Sequence, residues 1–241
     1  VYDIHCHILP GIDDGAGTLA QSLVLLEHAA ADGITHMVAT PHIQPGTYEN
    51  NRDSIVAAFD VLQSAMMNQG TALDLAMAAE VRLCPEILMM LEKGEIPLFK
   101  AENGHETMLL ELPHSHVPPG TDQMIRWLFR QNIDVLIAHP ERNKELMRNS
   151  DKIDVLYQLG CKFQLTARSV TGGFGESSQQ TATYILKQGW CDVLASDAHN
   201  LHHRPPELRA AQQTAAKLIG DAEAFKLTHT TPERMVAGLF V

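Results

Sequence analysis

Two stretches decide the fold: Asp3-Ile4-His5-Cys6-His7-Ile8-Leu9-Pro10-Gly11-Ile12-Asp13-Asp14-Gly15 and, near the far end, Ala195-Ser196-Asp197-Ala198-His199-Asn200. On a strand, residues i and i+2 point to the same side. His5 and His7 are therefore expected to aim two imidazoles at one point, and Asp197 and His199 to form a second such pair. Each pair lies in or follows an apolar, β-branched run. That is how a scaffold builds a metal site, and it implies a metal-dependent hydrolase.

Outward from these stretches, the runs 1–8, 34–40, 73–82, 106–112, 133–138, 162–166 and 191–196 read as strands. Amphipathic patterns near 18–32, 51–69, 85–93, 120–131, 151–159, 177–189, 206–219 and 231–239 read as helices, and the stripe Leu19, Leu23, Leu26, Ala30 is core. Seven short strands alternating with helices indicate βα units and a parallel sheet or barrel. No linker, low-complexity tract or repeat interrupts them. The Gly/Pro-rich stretches 113–120, 171–175 and 204–206 have the length of βα loops, so one α/β domain over residues 1–241 is expected.

Polar residues recur at the strand ends. His42 follows Ile34–Thr40, Glu80 lies near the end of Leu73–Arg82, and Glu111 ends Thr107–Leu112. His139 follows Val135–Ala138, and Asp197 and His199 follow Val193–Ser196. In α/β barrels the active site sits at the carboxyl ends of the strands, which gives this recurrence a structural reason. With His5, His7 and an aspartate of the Asp13-Asp14-Gly15 turn, the candidates are too many for one ion. Mixed nitrogen and oxygen donors suit Zn, Mn or Fe at two or three neighbouring sites. Such a cluster lowers the pKa of a bridging water and neutralises phosphoryl oxygens.

Composition sets the remaining bounds. A hydrophobic fraction of 45% and a charged fraction of 20% are those of a soluble globular protein. No apolar run reaches the ~18 residues of a membrane helix, and no signal peptide is visible. Membrane insertion is not expected. The formal charge of −11 argues against a nucleic-acid partner. Three divalent cations would contribute six positive charges and leave −5, so part of the acidity belongs to a metal site. Cys6, Cys84, Cys161 and Cys191 form no C-x-x-C pair, and a cytoplasmic, reduced setting is expected.

These residues, in this order, resemble the PHP family, named for polymerase and histidinol phosphatase domains. More narrowly, the chain resembles the bacterial manganese-dependent protein-tyrosine phosphatases of capsule and exopolysaccharide gene clusters. The matching segments are DIHCHILPGIDDGA, ATPHIQPG, LLELP, AHPERN, FQLTA with SVTGGFG, and ASDAHN with RPPEL, spanning residues 3–206. The resemblance implies a distorted (βα)7 TIM-like barrel. It also implies three divalent metal ions, manganese first, with zinc, iron or cobalt as the other candidates. His5, His7, Glu80 and Asp197 would hold one ion. Glu80 would bridge to a second, completed by Glu111 and His139. Asp14, His42 and His199 would hold the third; the resemblance, not the strand alternation, selects Asp14 over Asp13. The implied substrate is a phosphotyrosine-tailed kinase of polysaccharide export. Arg168 in TARSVTG departs from the small residue expected there.

Arg142, three residues after His139, and Arg204, five after His199, lie on loops at the site face, where guanidinium could clamp a phosphate. Eight histidines (His28, His36, His105, His114, His116, His202, His203 and His229) read as packing, solvent or loop residues. A cysteine phosphatase needs C-x5-R. Cys161 and Arg168 miss that spacing by one residue, so metal hydroxide is left as the nucleophile. The rivals are a phosphatase of the histidinol phosphate type, a phosphodiesterase or nuclease, and a non-catalytic module that would be expected to lose ligands.

Overall fold

The computed structural model describes residues 1–69 and 73–240. Its strands are β1 (Tyr2–Cys6), β2 (His36–Ala39), β3 (His42–Ile43), β4 (Asp74–Met77), β5 (Glu80–Arg82), β6 (Phe99–Lys100), β7 (Glu106–Glu111), β8 (Ile133–Ala138), β9 (Lys162–Thr166) and β10 (Cys191–Ala195). One expected strand is continued beyond its expected end and another is split. The run 34–40 stops at Thr40-Pro41 and resumes as β3, since proline has no N–H for the ladder. The run 73–82 is broken at Ala78-Ala79. Across both breaks the strands stay in step, with Ala78 N–H donating to Ala39 O at 2.9 Å and Glu80 N–H to Pro41 O at 3.1 Å.

Counting β2/β3 and β4/β5 as one strand each, seven parallel strands follow one another in chain order, and β6 is an antiparallel addition to β7. The last strand returns to the first. His7 N–H donates to Ala198 O and Asp197 N–H to His5 O, both at 2.8 Å. Below them, the buried Asp3 carboxylate accepts from the Ser196 N–H at 2.9 Å and its hydroxyl at 2.5 Å. The fold is the distorted (βα)7 barrel, joined at its seam partly by a side chain.

Ile4, Val38, Ala76, Leu109, Leu136 and Val193 fill the interior with Met235 and Val236 of the helix Thr230–Val236. Tyr2, which opens β1, packs on the same cluster, so that helix plugs the amino-terminal end and leaves the carboxyl end for the site. A larger cluster cements helices to the outside of the barrel. The helix Leu19–Asp32 is typical: Thr18 caps its start, and Gly33, at φ 99°, stops it in the left-handed conformation that glycine adopts without strain. The helices near 18–32, 51–69, 120–131, 151–159 and 177–189 form within two residues of expectation. The short pieces Lys144–Arg148, Ala167–Val170 and Asp221–Thr228 carry too few apolar anchors to show a period in sequence.

Candidate metal centre

An irregularity in β1 sets the first ligands. Asp3 pairs with Met37 but Cys6 with Ala39, so three steps on β1 face two on β2. Such a bulge re-aims side chains. Ile4 thus packs inside the barrel while His5 and His7 face its mouth. At the far end, strand alternation does not hold. β10 ends at Ala195, and Asp197 sits at φ 52°. Asp197 and His199 therefore reach the site from a turn, not from a strand face as the sequence suggests. His139 is also left-handed, at φ 32°. Among the described residues only Asn132 joins these two as a non-glycine at positive φ. Strain of this kind, about 1–3 kcal/mol each, is typically kept at functional sites.

Two donor triads share the edge between His5 and His7. His5 Nε2 and His7 Nε2 are 3.3 Å apart. Glu80 Oε2 lies 3.4 Å from His5 Nε2 and 3.3 Å from His7 Nε2. Asp197 Oδ1 lies 3.5 and 3.4 Å from the same two atoms. Within each triad the spacings are those that an ion with bonds of about 2.0–2.2 Å sets between two of its ligand atoms, roughly 3.3–3.6 Å. The tautomers agree. His5 Nδ1 donates to Gln164 Oε1 and His7 Nδ1 to Asp13 Oδ2, each at 2.8 Å, so an ion that displaced any second proton would meet both rings through Nε2.

The other ligands adjoin this group. Asp14 Oδ1 lies 3.3 Å from both His42 Nε2 and His199 Nε2. His199 Nδ1 donates to Asp197 O at 2.8 Å, freeing its Nε2. Glu80 Oε1 is 2.8 Å from His139 Nε2, while its Oε2 is 2.9 Å from His42 Nδ1. Strand register accounts for two contacts: β3 pairs His42 with Glu80, and β5 pairs Arg82 with Glu111. Groups whose donor atoms all lie within 4.8 Å of one another include His7, Asp14, His42 and His199; His5, His7 and Glu80; His5, His139 and Asp197; and His42, Glu80 and Glu111. All nine expected ligands are thus brought together. Glu111 and His139 fall into different close groups, on either side of Glu80.

The cluster is short of positive charge. Glu80 Oε2, Glu111 Oε2, His42 Nδ1 and His199 Nε2 are buried, and although charged neighbours approach three of them within 3 Å, none makes a well-aligned hydrogen bond. Burial, then repulsion from Glu80, pushes the Glu111 carboxyl up to about 7. Burial opposes charge on His42, yet Glu80 overrides it and raises the imidazole to about 9. Asp13 likewise holds His7 well above its ordinary value against burial. Protons are thus retained where a dense acidic cluster needs cations, and the donor set fits divalent ions.

Both expected arginines reach the mouth. Arg142 donates to Asp197 Oδ2, and its guanidinium lies 4.7 Å from the centre of the Phe174 ring. Arg204 donates to Asp14 Oδ2 at 3.1 Å and comes within 3.7 Å of Asp197 Oδ2. A third, Arg82, pairs with Glu111 at 2.8 Å; its place next to Glu111 in the ladder had no sequence signature. Arg168 packs on Gly173 beside Pro205 and Glu207. His28 pairs with Glu207, His105 with Asp134, and His36 stacks on Tyr2. Burial pushes the Cys161 thiol up to about 12, so it is no thiolate nucleophile. From the sequence, Asp13 was weighed only as the alternative ligand to Asp14 and Gln164 was not singled out; the structure places both behind the two leading imidazoles. Gln164 had one signal, a polar residue alternating with Phe163 and Leu165.

Known proteins resemble this chain in sequence and fold. A family model described as capsular polysaccharide synthesis, CpsB/CapC, matches residues 1–237. The chain is 32% identical over 226 residues to the tyrosine-protein phosphatase YwqE of Bacillus subtilis, covering 94% of this chain and 88% of YwqE. It is 29% identical to the tyrosine-protein phosphatase CpsB of Streptococcus pneumoniae, covering 97% of each. A chain from the crystal structures of YwqE and CpsB, described as unique metal-dependent tyrosine phosphatases, superposes with a TM-score of 0.91 at 30% identity. That match covers 99% of this chain and 95% of the other.

Proposed function

The chain belongs to the capsular polysaccharide synthesis CpsB/CapC family, and from that premise we propose that it is a metal-dependent phosphomonoester hydrolase acting on protein phosphotyrosine. Residues 1–241 would act as one catalytic domain. Three divalent ions are the proposed complement, manganese first. His5, His7, Glu80 and Asp197 would hold one; Glu80, Glu111 and His139 the second; Asp14, His42 and His199 the third. Bound there, the ions would supply hydroxide at neutral pH and charge to offset the phosphoryl oxygens.

One observation carries the proposal. Two carboxylates each divide their oxygens between imidazoles and a guanidinium: Asp197 between His5/His7 and Arg142, Asp14 between His42/His199 and Arg204. Cation-binding donors and anion-binding forks therefore share one mouth. Arg142 and Arg204 would bind phosphoryl oxygens and take the charge that grows in the transition state. Hydrolysis breaks the bond from phosphorus to the phenolic oxygen. A phenol has a pKa of about 10, so it leaves with less help from an acid than an alcohol does.

The proposed partner is a tyrosine kinase of polysaccharide export, and the proposed location is the cytoplasm. All four cysteines are free, which supports a reducing setting. Among the described residues, no helix is long and apolar enough to cross a membrane. The test is a comparison of initial rates on a phosphotyrosine peptide, histidinol phosphate and a phosphodiester, with Mn returned to chelated protein. Preference for the peptide is expected; preference for either of the others would replace this reading.

A further inference from the structure

A groove of about 350 Å³ opens beside the metal centre, between the helix Leu19–Asp32 and the turn after His199. Ala20 and Val24, one helical turn apart, form one wall with the buried Leu25; Leu201 faces them. Val24 is 46% exposed and Leu201 39%, so two aliphatic side chains stand open to water at the rim of a polar site. Apolar walls beside a few polar groups are the usual lining of a ligand cleft.

The groove is continuous with the centre. His199, whose Nε2 faces Asp14, also lines the groove. Gly15 forms part of the shared wall, and a Cβ there would meet His7 O at 1.9 Å. That wall is therefore backbone packed on a ligand residue, fixed in place. The volume is at the low end for ligand cavities, room for a side chain or two and not for a helix.

We propose that this groove takes an apolar side chain of the substrate polypeptide, close in sequence to its phosphotyrosine; this rests on the phosphatase reading above. A tyrosyl side chain is long enough to leave the peptide backbone at the rim while its phosphate is inside. In an extended peptide the residues two positions away point the same way, about 6.6–6.8 Å along the chain. One of them then falls over Val24 and Leu201. A small aryl phosphate would use the centre alone.

The test uses manganese-loaded protein, a set of phosphotyrosine peptides with Leu, Phe, Ala or Asp at each position within two residues of the phosphotyrosine, and p-nitrophenyl phosphate. Leu or Phe at one of those positions should raise kcat/KM over Asp by roughly tenfold or more, the scale of an apolar group in a pocket. Val24→Asp and Leu201→Asp should erase that preference through KM. Both variants should keep hydrolysis of p-nitrophenyl phosphate within about twofold, a surface change leaving the centre intact. Val24→Ala and Leu201→Ala should reduce the preference partially, which guards against misfolding of the Asp variants. No positional preference, a preference unchanged in all four variants, or variants that alter oligomeric state without altering selectivity would each overturn the proposal. Failure of the parent enzyme on p-nitrophenyl phosphate and on every peptide would instead sink the phosphatase reading, and this inference with it.

Discussion

Asp197 and Arg142 meet at the edge of the donor cluster: the guanidinium takes Asp197 Oδ2 while Oδ1 faces the Nε2 atoms of His5 and His7. The same carboxylate that can bind a cation thus orients the group that can bind an anion. Arg142→Ala is expected to keep metal content and fold and to lose roughly 10²- to 10³-fold in kcat/KM, the scale of one preorganised transition-state donor. Arg142→Lys should recover only part, for want of the fork. Arg204→Ala should be milder. Kinetics on a phosphotyrosine peptide, with metal counted in each variant, checks all three; near-normal efficiency of Arg142→Ala would make it a bystander.

Phe174 supports Arg142 from below by a cation–π contact. Phe174→Ala should lower kcat/KM about two- to tenfold, the range of a contact worth ~0.5–1 kcal/mol or somewhat more. Phe174→Tyr should restore it. Equal loss in both variants would show that the ring does not act through its face.

Asp13 fixes the His7 tautomer. Asp13→Ala should weaken metal binding by about 10- to 100-fold, as loss of a partner behind a ligating imidazole does. Gln164→Leu should act similarly through His5. Metal titration by calorimetry decides it, and unchanged affinity with unchanged activity would remove both residues from the site's support.

Asp192 is held above its ordinary carboxyl value of 3.8 by burial, against the Phe163 N–H it accepts. The folded state therefore binds its proton more readily than the unfolded chain does, and this group lowers stability as pH rises through the range just above 3.8. Asp192→Asn keeps an acceptor for Phe163. Its Tm should equal or exceed that of the parent at pH 7, and the gap should close toward pH 3.5. A gap that widens on acidification would reverse the assignment.

Much of the candidate site was legible because its donor residues follow apolar runs at strand ends: to foresee that His42, Glu80 and Glu111 would come together needed only that recurrence and a barrel. His5 and His7 were legible from spacing, although the bulge that turns them inward was not. Asp197 was found for an incomplete reason, since a left-handed turn and not strand alternation aims it. Asp13 and Gln164 could not be assigned their role, because a hydrogen bond to the far side of an imidazole leaves no spacing in the chain. The Asp3–Ser196 seam joins residues from opposite ends of the sequence and emerges only when the barrel closes.

The most direct test is phosphate release from a phosphotyrosine peptide by protein stripped of metal and then titrated with Mn. The account predicts no turnover when stripped and recovery that saturates with the bound metal. It also predicts that Cys161→Ser recovers as the parent does and that His5→Ala does not. Full turnover by protein shown to be metal-free by elemental analysis would contradict it.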